Sequence, residues 1–522
     1  MAEPTAAPRD TRFFGHPRGL MTLFFTEMWE RFSYYGMRAI LMLFMVTSAE
    51  AGGLGFSAEQ AGPVYAMYTS LVYLATVPGG WLADNFLGQR RSVLYGGAVI
   101  MLGHILLAMQ GMALFYTGLG CIVIGTGLLK PNISVIVGQL YSQEDERRDS
   151  GFSIFYMGIN IGAFTSPLVC GWLAQDESFR NWLLEVGLDP KHSWHWGFGA
   201  AAIGMGLGLA QYLWTGRHLG EAGLRPGRPA TPEVAAAAKR TLGIGLGLAA
   251  ALIAGVIAIA MLRPDSLNKD NINTAYTWTL IAIVLGFFVR LFTAGSWTRS
   301  EWSRLVLITV LFVAASVFWG VFEQAGSTLT LFAEQSTQNE VFGTTFPSSW
   351  WQSVNAVLII VLAPFFSWLW VALGRHNPSY AAKFGIGLGF VGLGFLWLVG
   401  GANAAEDGSR VGIHWLLGVY LLHTIGELCL SPVGLSAMTK LAPARVVSLM
   451  MGVWFLAASV GNFLAGSVAG FYESFDTPTL LTAVATGALI VSAIMFALVA
   501  PIRRMIAQAE AEGGAPTTKS GH

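Results

Sequence analysis

Long runs of apolar residues separated by short polar breaks repeat along the whole chain. Runs long enough to cross about 30 Å of hydrocarbon begin near Leu20, Gln60, Ser92, Ala113, Ser150, Trp194, Ala235, Asn273, Ser303, Ser348, Ala381, Ile413, Arg445 and Pro478. The length criterion thus predicts an all-α membrane protein with about fourteen transmembrane helices. The most polar break between spans, Arg217 to Lys239, is rich in Pro and Gly and reads as a cytoplasmic linker after the sixth helix. The two helices after it, around 240–262 and 273–294, carry almost no polar residues inside and look like packing helices. The rest divide into six before the linker and six after the inserted pair, the pattern of two bundles facing each other across a cavity. The expected organisation is a cytoplasmic tail at 1–19, a six-helix bundle at 20–217, linker and inserted pair at 218–300, a second six-helix bundle at 301–511, and a tail at 512–522 disordered by composition.

Composition agrees: the chain is 54% hydrophobic and only 11% charged, with mean hydropathy +0.56, values of a polytopic membrane protein. Net charge is zero, so there is no global basic field for nucleic acid. Cys121, Cys170 and Cys429 sit inside apolar segments without disulfide or metal-ligand spacing and read as core residues. No metal or cofactor is implied. The first twenty residues are polar, and the first apolar run is too long and too charged for a signal-peptide core, so no cleavable signal is expected.

Orientation follows from Lys and Arg. Arg180, Lys191, Arg263, Lys269 and Arg410 fall in loops on one side, while a much larger set including Arg9, Arg12, Arg18, Arg90, Arg91, Arg147, Arg148, Arg375, Lys440, Arg503 and Arg504 falls on the other. Both termini are then cytoplasmic by the positive-inside rule, in agreement with an even helix number.

The first apolar run contains EMWERFSYYGMR, Glu27 to Arg38. On a helix at about 100° per residue, with Glu27 at zero, Glu30 falls near about −60°, Arg31 about +40°, Tyr34 about −20°, Tyr35 about +80° and Arg38 about +20°. Every ionisable side chain shares one face, while Met28, Trp29, Phe32, Gly36 and Met37 take the other and meet lipid or a neighbouring helix. Each ion at the bilayer centre costs roughly 2.5–3.5 kcal/mol on insertion scales, so four on one span need charged partners or a wet cavity. A structural ion pair explains two charges; four charges and two phenols on one stripe point to a cavity wall.

Further motifs follow. In GGWLADNFLGQRRS, residues 79–92, Asp84 and the Arg90/Arg91 pair bracket a turn at Gly88, suited to a cytoplasmic loop that pins two helix ends by charge and dipole. This loop resembles a signature of the major facilitator superfamily. In GTGLLKPNISVIVGQ the glycines lie inside an apolar helix with no preceding strand, which argues against a phosphate-cradling loop and for close helix contact. Lys130 then lies deep in the membrane and needs a partner, which Glu27 and Glu30 supply. In FYMGINIG, Tyr156 and Asn160 are one turn apart and share a face. His104 and His423 read as hydrogen-bonded core imidazoles.

The segments TEMWERFSYYG, GTGLLKPNIS and FYMGINIGAF, continued by FWGVFEQAGS, PSSWWQSVNAVLIIVLAP, KFGIGL, GELCLSPVGLS and LMMGVWFLAASVGN, resemble the signatures of the proton-dependent oligopeptide transporter family within the major facilitator superfamily, bacterial type. The resemblance covers nearly all of the chain. It implies a proton-coupled symporter that imports di- and tripeptides by alternating access, with twelve core helices and two extra ones, working in the cell inner (plasma) membrane as a monomer embedded in the lipid bilayer. Its partners would be di- and tripeptides and protons.

Carried over by the resemblance, Glu27, Glu30 and Arg31 form a proton-coupling cluster with Lys130. Arg38 and Lys130 attract the peptide carboxylate and Glu427 holds its amino terminus; Tyr34, Tyr35, Tyr68, Asn160 and Asn355 orient the peptide, and Trp319 and Trp454 wall the pocket. A zwitterionic dipeptide suits a site basic at one end and acidic at the other. Blander readings stay open: Glu323, one turn after Trp319 on a helix, bonded to backbone; Asn355 as interhelical glue; the two tryptophans as packing. Two departures from the family stand out. Where many bacterial members carry an acidic pair after the first pocket tryptophan, this chain has Phe322–Glu323, so Glu323 alone would take that proton-coupling role. The second helix around Ala66–Tyr68 also lacks the histidine of animal members. A same-fold transporter of another small solute, such as nitrate, a drug or a peptide-like molecule, is the alternative. The intact Glu-x-x-Glu-Arg pattern argues against nitrate. An enzyme would need a nucleophile–base pair or metal ligands, and no span carries such spacing; a fixed open channel is disfavoured by deep charges of both signs.

Overall fold

The computed structural model describes residues 10–142, 145–224, 226, 231–263 and 268–505. Its α-helices are, in chain order, α1 (Arg18–Val46), α2 (Ala58–Leu74), α3 (Thr76–Leu82), α4 (Gln89–Leu107), α5 (Met112–Gln139), α6 (Arg148–Gln175), α7 (Glu177–Glu185), α8 (Ser193–Thr215) and α9 (Pro232–Leu262). There follow α10 (Lys269–Thr293), α11 (Arg299–Phe322), α12 (Thr328–Gln335), α13 (Gln352–Ala372), α14 (Tyr380–Ala404), α15 (His414–Leu441), α16 (Met450–Ala469) and α17 (Thr477–Ala497). Each of the apolar runs forms one long helix, and the molecule is a nearly all-helical, multi-pass membrane protein. Among the described residues, ten helices are long and apolar enough to span a membrane on length and composition alone. The long helices outside that set fall short for visible reasons: α1 carries its five charged residues and α2 has 17 residues, while α4 holds Arg90, Arg91 and His104. In α8, glycines, His195 and Gln211 lower the mean hydropathy.

Helix starts follow local chemistry. Thr231 accepts from the Val234 N–H and is followed by Pro232, so α9 begins inside the polar stretch read as linker. Thr298 and Glu301 form a reciprocal capping box at the start of α11. Asp476 caps α17 ahead of Pro478. Four elements were not anticipated: α3, which takes up the first residues of the stretch read as a loop; the short amphipathic α7, whose buried residues are Phe179 and Leu183; α12; and a hairpin of β1 (Glu340–Val341) with β2 (Thr344–Thr345), antiparallel with Glu340 opposite Thr345. Phe342 and Gly343 turn that hairpin with positive φ. The tail at 512–522 lies outside the described residues.

By internal contacts the chain divides into two compact units. The first comprises residues up to Ile40 and Leu74–Thr277; the second comprises Leu41–Tyr73 and Trp278 onward. In the first, α4 packs on α5 and α8, α3 on α5, and α6 on α8, around a core that includes Leu23, Ile100, Leu129, Ile133, Phe155 and Met205. The glycines of the GTG motif build it: a Cβ at Gly125 would lie 2.5 Å from the Gly96 carbonyl oxygen of α4, and one at Gly127 2.7 Å from that of Ala75 beside α3. The motif is a helix-packing device, as its apolar setting predicts.

In the loop between α3 and α4, Gly88 adopts φ 77°, conformational freedom that favours glycine. The Asp84 carboxylate accepts from Gln89 Nε2 at 2.9 Å, while Arg90 donates to the carbonyls of Ala222 at 2.6 Å and Gly220 at 2.5 Å. The turn is pinned as expected, through an amide and backbone carbonyls rather than an Asp–Arg pair. In the second unit, α14 packs on α15 and α17, and α11 on α16. There α2 is fixed to α16 by the Ser70–Ser459 hydroxyl contact at 2.8 Å, and the Ala58 N–H donates to Glu473 at 2.9 Å.

Candidate functional site

The candidate side chains lie in two clusters, one within each unit. In the first unit, the apolar face of α1 is taken up by neighbours. Trp29 lies against Gly208 and Phe32 against Gly204 of α8, while Gly36 meets Cys170 of α6. Gly162 of α6 fits so closely under α1 that an added Cβ would sit 2.3 Å from the Met28 carbonyl oxygen and 3.0 Å from Arg31 Cβ. This close seat orients the opposite face.

On that face Glu27, Glu30, Arg31, Tyr34 and Arg38 are all buried. Arg31 Nε lies 3.2 Å from Glu27 Oε1 and also bonds to Glu30 Oε2. One guanidinium nitrogen therefore joins the i−4 and i−1 carboxylates, both on the stripe predicted at 100° per residue. The guanidinium carbon stands 5.2 Å from the Tyr34 ring centroid and 5.9 Å from that of Tyr35, and that of Arg38 stands 6.0 Å from Tyr35. Lys130 of α5 interacts electrostatically with Glu27. The outer oxygen of each carboxylate, Glu27 Oε2 and Glu30 Oε1, and Arg31 Nη2 are buried without a hydrogen-bond partner among the described residues. Such atoms in an ion cluster leave capacity for a proton, a water or a ligand.

Asn160 of α6 is buried and its Nδ2 donates to the Tyr156 carbonyl at 3.0 Å. Tyr156 itself is 45% exposed, so the expected shared face of the two side chains is not what holds Asn160; the backbone one turn back does. His104 is wholly buried with neither ring nitrogen bonded among the described residues, whereas His423 bonds the Val391 carbonyl at 3.2 Å between the Phe322 and Phe395 rings.

The second cluster is built at a break. Helix α11 ends at Phe322, a 3-10 turn runs Glu323–Gly326, and Ser327 takes φ −133°, ψ −91° before α12. Glu323 thus begins the break instead of continuing the helix, and it is buried. Irregular backbone at membrane depth is tolerated where protein or a cavity surrounds it. Glu323 interacts electrostatically with Glu427 of α15. Asn355 of α13 donates from Nδ2 to Glu427 Oε2 at 3.0 Å and to Thr424 Oγ1 at 3.0 Å. Thr424 was not anticipated, although it precedes Glu427 by three residues and so shares its helical face.

Trp319 and Trp454 meet edge to face, with centroids 6.2 Å apart at 80°. Glycines make room for both: a Cβ at Gly461 would lie 2.4 Å from Trp319 Cβ, and one at Gly434 would lie 2.2 Å from the Trp454 ring. The Trp319 Nε1 donor is buried without a partner among the described residues. Tyr68 is buried in the part of α2 that belongs to this unit. No cluster of His, Cys, Asp and Glu able to hold a metal occurs among the described residues.

Comparison with known proteins places these clusters in context. A model described as the POT family matches residues 90–486. The peptide transporter YePEPT of Yersinia enterocolitica is 39% identical over 97% of this chain and 98% of its own length. A di-/tripeptide transporter of Lactococcus lactis subsp. cremoris is 38% identical over 95% of this chain and 97% of its own. The crystal structure of a peptide transporter POT in complex with sulfate superposes with a TM-score of 0.87 at 40% identity, covering 95% of this chain and 97% of that one.

Proposed function

Because the chain belongs to the POT family, a transporter family with the major facilitator fold, we propose that it is a proton-coupled symporter that takes up di- and tripeptides by alternating access. The relatives it matches along nearly their full length are named for peptide and di-/tripeptide transport. The observation that carries the reading is the buried Arg31 joined to both Glu27 and Glu30, with Lys130 in electrostatic reach of Glu27. This charge cluster is costly in a membrane unless it is used.

In the proposed mechanism Glu27 and Glu30, when ionised, hold Arg31 and engage Lys130. A proton arriving on either carboxylate weakens that engagement and frees Lys130, with Arg38, for the peptide carboxylate. The pre-existing unbonded oxygens of Glu27 and Glu30 are the proton acceptors. Glu427, aimed by Asn355 and Thr424, takes the peptide ammonium, a charge-assisted bond that recognises the backbone and leaves side chains unread. Glu323 is a further proton-coupling group. Tyr34, Tyr35, Tyr68 and Asn160 orient the peptide, and Trp319 and Trp454 wall its side chains. Residues 20–217 and 301–511 act as the two six-helix bundles, with 218–300 supplying the linker and inserted pair. The protein works as a monomer in the inner (plasma) membrane with both termini cytoplasmic, and it catalyses no covalent reaction.

The test is uptake of labelled dialanine into liposomes holding the purified protein, with and without an inward proton gradient. Accumulation only with the gradient, competed by other dipeptides and not by free alanine, is the expected result. Absence of both uptake and binding overturns the peptide assignment in favour of another solute.

A further inference from the structure

The second unit carries a groove that the transport reading does not use. It lies between the end of α10, the middle of α11 and the end of α17, with a volume of about 370 Å³. Phe292, Val306, Val313, Ile494 and Leu498 line it, and its polar residue, Thr309, spends its hydroxyl on the Leu305 carbonyl at 3.0 Å. The groove therefore offers nothing to water and stays dry unless an apolar chain fills it. It is also open laterally: Val313 is 50% and Ile494 49% exposed, and on a multi-pass protein that side meets lipid.

Positive charge collects at one end of the groove. Arg299 is seven residues before Val306 and eleven before Val310, which places it within about 20° of both on α11, roughly two turns toward the α10–α11 connection. Arg299, Arg503 and Arg504 are exposed, the last two following Leu498 by five and six positions. Arg445 packs on the Trp297 ring at 4.4 Å and donates to the Ser296 carbonyl at 3.1 Å, which fixes it over the same connection. Glu301, the carboxylate at this rim, is engaged by Thr298 at 2.9 Å and 3.1 Å and lies 3.5 Å from Arg445. Beside the groove mouth Trp302 contacts Phe292 with centroids 4.6 Å apart and is half-exposed, an indole where a bilayer turns from tails to headgroups.

We propose that this groove is a binding site for one anionic phospholipid, its acyl chain between α10, α11 and α17 and its phosphate among Arg299, Arg445, Arg503 and Arg504. The charge of the rim selects an anionic headgroup over a zwitterionic one. Residues 506–522, IAQAEAEGGAPTTKSGH, hold no apolar run that could fill the groove instead. The inserted helix α10, which meets α11 through the Phe288–Phe312 and Phe292–Trp302 ring pairs, is thereby tied further to the second bundle.

The experiment is native mass spectrometry and thermal unfolding of the full-length protein in detergent, with added phosphatidylglycerol, phosphatidylcholine or inorganic phosphate. Retention of one phosphatidylglycerol with a raised Tm, against little effect of phosphatidylcholine or phosphate, is expected. Arg299→Gln and Arg503→Gln should each weaken retention about fivefold. Val313→Trp, on a lipid-facing position, should abolish it while leaving the lipid-free Tm unchanged. Equal retention of both lipids, a Tm response to phosphate alone, or undiminished retention by V313W overturns the proposal.

Discussion

Asn355 Nδ2 donates to Glu427 Oε2 at 3.0 Å and to Thr424 Oγ1 at the same distance, so one amide sets the direction of the carboxylate proposed to hold the peptide ammonium. A hydrogen bond to a charged group contributes roughly 1.5–3 kcal/mol. Asn355→Ala should therefore raise the dipeptide Kd about ten- to hundredfold, because Glu427 loses its orientation. Glu427→Gln should weaken dialanine binding more than that, and the order of the two variants in a titration calorimetry or thermal-shift series checks the assignment. If Asn355→Ala binds as wild type, the amide is only interhelical packing.

Within α1 the coupling cluster makes a sharper demand. Glu27→Gln should abolish gradient-driven accumulation while counterflow, which needs binding and rocking but no net proton movement, survives. Glu30→Gln should behave in the same direction. Arg31→Ala is a different case, since it strands two buried carboxylates that share one guanidinium nitrogen. Breaking a buried pair in this way costs roughly 3–5 kcal/mol, so that variant should lose its monodisperse peak on gel filtration. Wild-type accumulation by Glu27→Gln would remove Glu27 from the proton path.

The stripe of charges on α1 was legible because it depends only on 100° per residue, and helix number because it depends only on the length of apolar runs. What the sequence withheld depends on contacts between distant residues. The Asn355–Glu427 bond joins α13 to α15 across 72 positions, and no local periodicity encodes it. The break at Glu323 was hidden because FWGVFEQ carries no proline and the chain stays helical through Gly320 as far as Phe322, so the weak formers there do not mark where the helix stops. Arg90 was expected to pin helix ends by charge and dipole, yet it binds carbonyls at 220 and 222. Loop carbonyls leave no mark on a sequence.

Close helix seating gives a prediction separate from charge. A Cβ at Gly162 would fall 2.3 Å from the Met28 carbonyl oxygen, against backbone that cannot swing aside. Gly162→Val should push α6 off α1 at a cost of roughly 1–3 kcal/mol or more and lower both Tm and dipeptide binding, since α1 carries the cluster. By contrast Gly120→Ala, where an added Cβ meets nothing within 4 Å, should leave Tm within about 2 °C of wild type. A Gly162→Val variant as stable as Gly120→Ala would show that the two helices are free to separate.

Ahead of α1 the chain is latched to the connection between α5 and α6, and the latch contains a buried histidine. His16 Nδ1 lies 2.9 Å from Tyr141 Oη and its Nε2 3.4 Å from Ser150 Oγ, while Arg147 donates to the Gly15 carbonyl at 3.0 Å. Burial pushes the Tyr141 hydroxyl up to about 12, so it keeps its proton; Ser150 Oγ donates to the Arg147 carbonyl at 2.9 Å, so Nε2 donates to Ser150 and Nδ1 accepts from Tyr141. Burial also holds His16 below its ordinary 6.5, Arg147 adding to the effect and Asp145 opposing it. A base with a depressed pKa in the folded state favours the fold in its neutral form. The latch is therefore at full strength above about pH 6.5 and weakens as pH falls through and below that value. Amide exchange at Phe13–His16 should accelerate between pH 7.5 and pH 5.5 beyond the intrinsic pH effect, and His16→Gln should flatten that difference. Equal protection of the segment at both pH values would mean that His16 packs there without gating its attachment.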